Sequence, residues 1–86
     1  MKSFEYTITD PLGIHARPAG LLAKAAKAYS GTTVTITKAG NTVKVSQLMK
    51  LMGMGVKQGD QVTVAAEGPA EEEAIAAMKK FFEVNL

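Results

Sequence analysis

The chain has 86 residues, of which 47% are hydrophobic and 21% charged, as is typical of one small globular domain. It contains no cysteine, which excludes disulfides, thiol catalysis and cysteine–zinc sites. The net charge of +2 is too small to indicate nucleic-acid binding, and no apolar stretch is long enough to span a bilayer. Because the N-terminal residues also lack a cleavage-type segment, we expect a single cytoplasmic domain over residues 1–86.

The first part of the chain predicts a strand followed by a helix. Apolar and polar residues alternate over residues 3–9, which is typical of a strand, and Asp-Pro-Leu-Gly at 10–13 predicts a turn. From about Ala16 the apolar spacing changes to three and four, which predicts a helix with Ser30-Gly31 as its end. Its buried face would consist of Ala19, Leu22, Ala26 and Tyr29.

The middle of the chain predicts a hairpin, a short helix and a further strand. Residues 32–37 and 42–45 are rich in β-branched residues and are separated by a turn over residues 38–41. Ser46 is a suitable N-cap for a helix over residues 47–52, which glycines at 53 and 55 would end. Residues 61–66 predict the fourth strand.

A last helix is predicted after Gly68-Pro69. Three glutamates at 71–73 lie in its first turn, where the helix dipole favours negative charge, and Lys79 and Lys80 are expected near its end. Its buried stripe would consist of Ile75, Met78 and Phe82. The order β-α-β-β-α-β-α predicts an α+β fold, in which three helices cover one face of a four-stranded antiparallel sheet.

The only histidine, His15, falls where the predicted turn becomes a helix. A lone histidine usually has a structural or surface role, but three neighbouring features point to an anion site. The free N–H groups of a first helical turn favour an anion, Arg17 can bind phosphate oxygens, and Gly13 allows a close approach of the chain. Together they predict a phosphoryl group on the imidazole of His15.

The same positive field should lower the pKa of His15, because a helix N-terminus and Arg17 both disfavour the imidazolium form. A neutral imidazole is the form that attacks phosphorus. An NMR titration would test this expectation, and a pKa at or above that of a model peptide would count against it. One histidine without cysteine gives no metal cluster, and no phosphate-binding glycine loop is present, so we expect neither metal nor cofactor.

The segment Gly13-Ile14-His15-Ala16-Arg17-Pro18-Ala19 resembles the HPr family, the histidine-containing phosphocarriers of the bacterial sugar phosphotransferase system. The resemblance extends over essentially the full chain and implies an open-faced β-sandwich. It implies that His15, through Nδ1, takes a phosphoryl group from phosphorylated Enzyme I, with phosphoenolpyruvate as the original donor. The group would then pass to the IIA domains of sugar permeases. Such a carrier is not an enzyme with turnover of its own.

The resemblance also implies roles for residues on the first helix. Arg17 and the backbone amides of Ala16 and Arg17 would hold the phosphate. Lys24 and Lys27, three residues apart and so on one side of the helix, would help to bind acidic partners. A merely solvated surface explains the two lysines equally well.

The second helix carries two further sets of candidate residues. In some bacteria HPr kinase/phosphorylase modifies a serine at this point, but the matching register places Gln47 there and leaves Ser46 one position early. Capping by Ser46 is therefore favoured over regulation. The family has apolar residues that contact partners at the positions of Leu48, Met49 and Met52. Packing of these side chains in the core is an equal alternative. Met49 and Met52 are the methionines expected to be exposed.

Two other functions stay open at this point. One is a regulatory paralogue with the same fold that acts by protein binding, although it would have no need of His15 beside Arg17. The other is a small nucleic-acid-binding α+β module, which the low charge disfavours. A monomer is the expected state of a carrier that must dock with several partners.

Overall fold

The computed structural model describes residues 1–14, 16–29 and 31–86, without the side chains of Ala16 and Leu48. The elements are β1 (Lys2–Thr7), α1 (Ala16–Lys27), β2 (Thr33–Lys38), β3 (Asn41–Lys44), α2 (Leu48–Gly53), β4 (Gln61–Glu67) and α3 (Glu71–Asn85). The predicted element order and α+β class are confirmed. Within the described residues, no helix is long and apolar enough to cross a membrane.

The four strands form one antiparallel sheet in the order β1-β4-β2-β3. β4 is central, and its Val64 lies between Phe4 of β1 and Ile36 of β2. Successive side chains of a strand point to opposite faces, so Val62 and Val64 are buried while Thr63 between them is partly exposed. The three helices pack over the buried face and leave the other open, as predicted for an open-faced sandwich.

Phe82 of α3 is the largest side chain that is fully buried. The rings of Phe4 and Tyr6 meet it edge-on, with ring centroids 5.9 and 5.5 Å away. These arrangements suit the charge distribution of aromatic rings and join the last helix to the first strand. The predicted burial of Phe82 is confirmed.

The inward stripe of α3 and the place of its basic residues differ from the prediction. Its buried residues are Ala74, Met78 and Phe82, every fourth residue, whereas Ile75 is only partly buried. The helix continues to Asn85, and its last turn contains no basic residue. The predicted place of Lys79 and Lys80 near the helix end is therefore wrong, because burial of Phe82 and Leu86 extends the helix beyond them.

The helix α1 ends earlier than the Ser30-Gly31 stop that the sequence suggests. It ends at Lys27, after which the N–H groups of Ala28 and Tyr29 donate to carbonyls three residues back, at 3.2 and 3.1 Å. Hydrogen bonds between residues three apart are typical of a 3₁₀ turn, so the α-helix has ended before these two residues. Ser30 itself lies outside the described residues.

The prediction that Ser46 caps α2 is wrong. Gln47 is the N-cap residue, and its side chain makes no capping hydrogen bond. The N–H of Gln47 donates to the carbonyl of Lys44 at 3.0 Å, which closes a turn directly after β3 and places the exposed Ser46 within it. The helix therefore starts one residue later than predicted.

The hairpin between β2 and β3 has a shorter turn than predicted. Lys38 pairs with Asn41, so only Ala39 and Gly40 connect the strands, with φ of 51° and 84°. Positive φ at both positions is what a type I′ turn requires. The paired Lys38 thereby occupies the end of a strand and not a flexible turn.

Candidate functional site

The turn before α1 is held by hydrogen bonds at both of its ends. The N–H of Gly13 donates to the Asp10 carbonyl at 2.9 Å, and the N–H of Leu12 donates to Asp10 Oδ1 at 2.8 Å. The N–H of Asp10 donates to the carbonyl of Leu86 at 2.9 Å, directly beyond α3. The approach to the predicted site is thus a built turn, supported from the far end of the chain.

Gly13 lies against the segment that follows α2. Its φ is +65°, and a Cβ built on it would lie 2.7 Å from Lys57 Cα and closer still to the Val56 carbonyl oxygen. The next residue, Ile14, is buried and donates its N–H to the same carbonyl at 3.1 Å. Only glycine allows this approach, as the sequence suggested. The residue that it places next, His15, lies outside the described residues.

The first turn of α1 contrasts with that of α3. It contains the exposed Arg17 and no acidic residue, whereas α3 begins with three glutamates. A helix N-terminus carries partial positive charge, so a cation there is unfavourable on its own. An anion placed beside Arg17 would therefore be stabilised by both the helix end and the guanidinium. Pro18 is the third residue of α1, so it lies in the first turn as predicted, and it is buried.

A shallow pocket of about 240 Å³ adjoins Arg17 and Pro18. Asp10, Leu21 and Asn85 complete its lining, and sequence reasoning identified none of these three as site residues. Leu21 follows Arg17 by four residues and lies off the buried face of α1, which was an available signal. No sequence signal pointed to Asn85, because only the packing of α3 brings this residue to the pocket.

The predicted partner residues lie on two helices that pack together, α1 and α2. Lys24 and Lys27 are exposed, and so are Met49 and Met52, with relative exposures of 81% and 40%. Their neighbour Leu51 is fully buried and anchors α2. The predicted exposure of the two methionines is confirmed, whereas the side chain of Leu48 lies outside the described part of the chain.

A family model described as the PTS HPr component phosphorylation site matches residues 2–84. The chain belongs to the PTS HPr family. Its role as a phosphocarrier of the phosphotransferase system follows from this membership. The phosphocarrier protein HPr of Mycoplasma genitalium is 39% identical over 85 residues, which cover 99% of this chain and 97% of that protein.

Solved structures agree with this assignment. The crystal structure of an HPr from Thermoanaerobacter tengcongensis has a TM-score of 0.90 and 37% identity, and covers 96% of this chain and 92% of its own. The catabolite repression protein Crh of Bacillus subtilis, described as a domain-swapped dimer, has a TM-score of 0.78 and 28% identity, over 94% and 92% of the two chains. The fold is therefore shared by carriers and by this repression protein.

Proposed function

We propose that His15 is the residue that carries the phosphoryl group in this protein. It would receive the group from phosphorylated Enzyme I, with phosphoenolpyruvate as the original donor, and deliver it to IIA domains of sugar permeases. The observation that carries the proposal is the place of His15 in the chain. It falls directly between Ile14, which is bonded to the Val56 carbonyl, and the first turn of α1 with Arg17.

The transfer requires a nucleophile and charge stabilisation from this protein. The neutral imidazole Nδ1 attacks phosphorus, a nitrogen–phosphorus bond forms, and the bond from phosphorus to the donor breaks. The guanidinium of Arg17 and the backbone N–H groups of Ala16 and Arg17 would stabilise the charge on the phosphoryl oxygens. Delivery to a IIA domain is the same displacement in the opposite sense, so one site serves both partners.

The docking surface would combine the exposed residues of α1 and α2. Met49 and Met52 supply an apolar centre, and Lys24, Lys27 and Arg17 supply positive charge towards acidic partners. A monomer in the cytoplasm suits a carrier that exchanges partners, because a dimer through this surface would hide it.

The main experiment incubates the chain with labelled phosphoenolpyruvate and Enzyme I. The wild-type chain should gain an acid-labile phosphate, and His15→Ala should gain none. Arg17→Ala should label about 10- to 100-fold more slowly, through lost charge stabilisation. Lys44→Ala, which removes an exposed cation of β3, should label normally. An unlabelled wild-type chain, or a His15→Ala chain labelled as fully as wild type, contradicts the proposal.

The docking surface is tested with two exposed apolar residues of similar accessibility. Met49→Ser should raise the KM of Enzyme I for the carrier by about fivefold and leave kcat unchanged, because an interface contact is lost. Val84→Ser on α3, where the side chain is 73% exposed, should change neither constant. Equal effects of both substitutions would contradict the proposed surface.

Regulation at Ser46 has its own test, because the serine stands one position before the N-cap of α2. A regulatory role of Ser46 predicts that purified HPr kinase/phosphorylase and ATP modify its exposed hydroxyl group. The added phosphate would carry about −1.5 to −2 charges and would repel an acidic partner. No incorporation, or incorporation that persists in Ser46→Ala, removes the regulatory role.

A further inference from the structure

Lys38 connects the hairpin to the segment 55–60, which links α2 to β4. Its Nζ lies 2.8 Å from Asp60 Oδ2 and donates to the carbonyl of Gly55 at 3.0 Å. The two acceptors stand at opposite ends of the segment. The ammonium group of Lys38 therefore links the two ends of the segment. The short hairpin turn places Lys38 at the end of β2.

Asp60 adds bonds within the segment. Its Oδ2 accepts the N–H of Lys57 at 2.8 Å, and its own N–H donates to the Lys57 carbonyl at 3.0 Å. The side-chain hydrogen bond from Lys38, followed by the N–H of Lys57, lowers the pKa of Asp60. The carboxylate is thus ionised at neutral pH and can hold both donors.

The segment is also attached to the end of the first strand. The N–H of Gly59 donates to the Ile8 carbonyl at 2.8 Å, and the N–H of Ile8 donates to the Asp60 carbonyl at 3.0 Å. The amide of Gln58 donates to the Thr9 carbonyl at 3.2 Å. These contacts fix one side of the segment but do not reach its Val56–Lys57 part.

The Val56–Lys57 part is what the candidate site rests on. The Val56 carbonyl accepts the N–H of Ile14, and Gly13 packs against Val56 and Lys57. The bond of Lys38 to Gly55 lies directly before this part, and Asp60 holds its second residue, Lys57. A shift of the segment would therefore move the acceptor on which the residue before His15 depends.

We propose that Lys38 and Asp60 are positioning residues, which hold the segment 55–60 so that the Val56 carbonyl fixes Ile14 and hence the chain at His15. The inference rests on the proposed function of His15. Neither residue belongs to the proposed phosphate-binding groups, which are Arg17 and the backbone N–H groups of Ala16 and Arg17. They act through the hydrogen bond from the Ile14 N–H to the Val56 carbonyl, so their effect can be measured without any transfer of phosphate.

The experiment compares Lys38→Met and Asp60→Asn with wild type by two readouts. Hydrogen exchange at the Ile14 amide should become about fivefold faster relative to that of Val64 in the buried centre of β4, because the bonds that hold the segment are lost in Lys38→Met and weakened in Asp60→Asn. With labelled phosphoenolpyruvate and Enzyme I, kcat should fall by about fivefold with unchanged KM, because docking residues are untouched. Lys38→Arg keeps the charge and should recover both values in part.

Lys2→Met is the matched control, since it removes another lysine–carboxylate pair, with Glu72 at 3.9 Å, away from the segment. It should leave exchange at Ile14 and labelling unchanged. The Val64 amide reports overall stability, so a variant that loosens the whole fold is recognised. Unchanged Ile14 exchange in both variants, or faster exchange with normal labelling, overturns the inference. Failure of the proposed function shows differently, as a wild-type chain that is not labelled at His15.

Discussion

The starts of α1 and α2 are built in opposite ways. The segment before α1 is bonded to the turn at Asp10 and to the Val56 carbonyl, and the helix then buries Pro18 and Ala19. Within the described residues, the start of α2 has the turn bond from Gln47 to Lys44 and the helical bond from Leu51 to Gln47, no side-chain cap, and an exposed Met49. The first start is fixed from several parts of the chain, whereas the second is presented to solvent.

This difference agrees with two separate functions, positioning of the reacting group at the start of α1 and contact with partners at the start of α2. A reacting group needs a defined position, since small displacements cost large factors in rate. A surface that meets several partners needs accessible apolar groups that adapt, and methionine suits this because its side chain is flexible. We therefore expect substitutions before α1 to affect stability and transfer together, and substitutions at the start of α2 to affect stability little.

The largest expected effect is that of Gly13→Ala. The new Cβ would meet Val56 and Lys57 at a positive φ, so we expect the free energy of unfolding to fall by about 3 kcal/mol. Gly55→Ala is the control, because its φ of +67° is almost the same as the +65° of Gly13, but no atom of the described residues lies within 4 Å of the added Cβ. Urea denaturation should give a loss of only about 1–2 kcal/mol for this control. Equal losses would show that Gly13 is needed for its φ alone and that the close packing before α1 adds nothing.

A smaller effect is expected from Asp60→Asn, and it should depend on pH. The folded pKa of Asp60 is lowered by the hydrogen bond from Lys38, so its stabilisation is present above the ordinary value of 3.8 and is lost as pH falls through the lower folded value. At neutral pH the variant should therefore unfold at lower urea concentration than wild type. Well below pH 3.8 the two denaturation midpoints should converge. A difference that persists in strong acid would mean that the charge of Asp60 does not hold the segment 55–60.

The smallest effects are expected at the start of α2. Ser46→Ala should change the free energy of unfolding by less than about 0.5 kcal/mol, because Ser46 is exposed and is not the N-cap residue. Gln47→Ser should stabilise the protein by about 0.5–1 kcal/mol, since it places a capping hydroxyl at the uncapped position. Thermal unfolding of both variants measures this. A loss of about 1 kcal/mol in Ser46→Ala would restore Ser46 as the cap and weaken the contrast between the two helix starts.

The sequence predicted the fold well where the pattern is local and periodic. The alternation in β4 and the spacing of Leu22 and Ala26 in α1 correspond to burial in the structure. Helix ends were predicted less well, because they depend on bonds that the pattern does not contain. The N-cap of α2 is Gln47 and not the predicted Ser46, because a turn from Lys44 precedes the helix.

The site was predictable only in its local part. The motif from Gly13 to Arg17 is contiguous, so its chemistry follows from residue types and from the start of a helix. The support of Gly13 and Ile14 by Val56, and the closing of that segment by Lys38 and Asp60, join residues far apart in the chain. No local spacing links them, and the hairpin turn that places Lys38 was predicted two residues too long.

The most direct test of the role of His15 is the NMR spectrum of its imidazole ring during phosphorylation. The chain contains one histidine, so the ring signals report on His15 alone. After addition of phosphoenolpyruvate and Enzyme I, we expect the imidazole nitrogen resonances to shift in step with phosphate uptake and to return when acid removes the phosphate. Phosphate uptake with an unchanged imidazole spectrum would contradict the central claim that the start of α1 carries the phosphoryl group on His15.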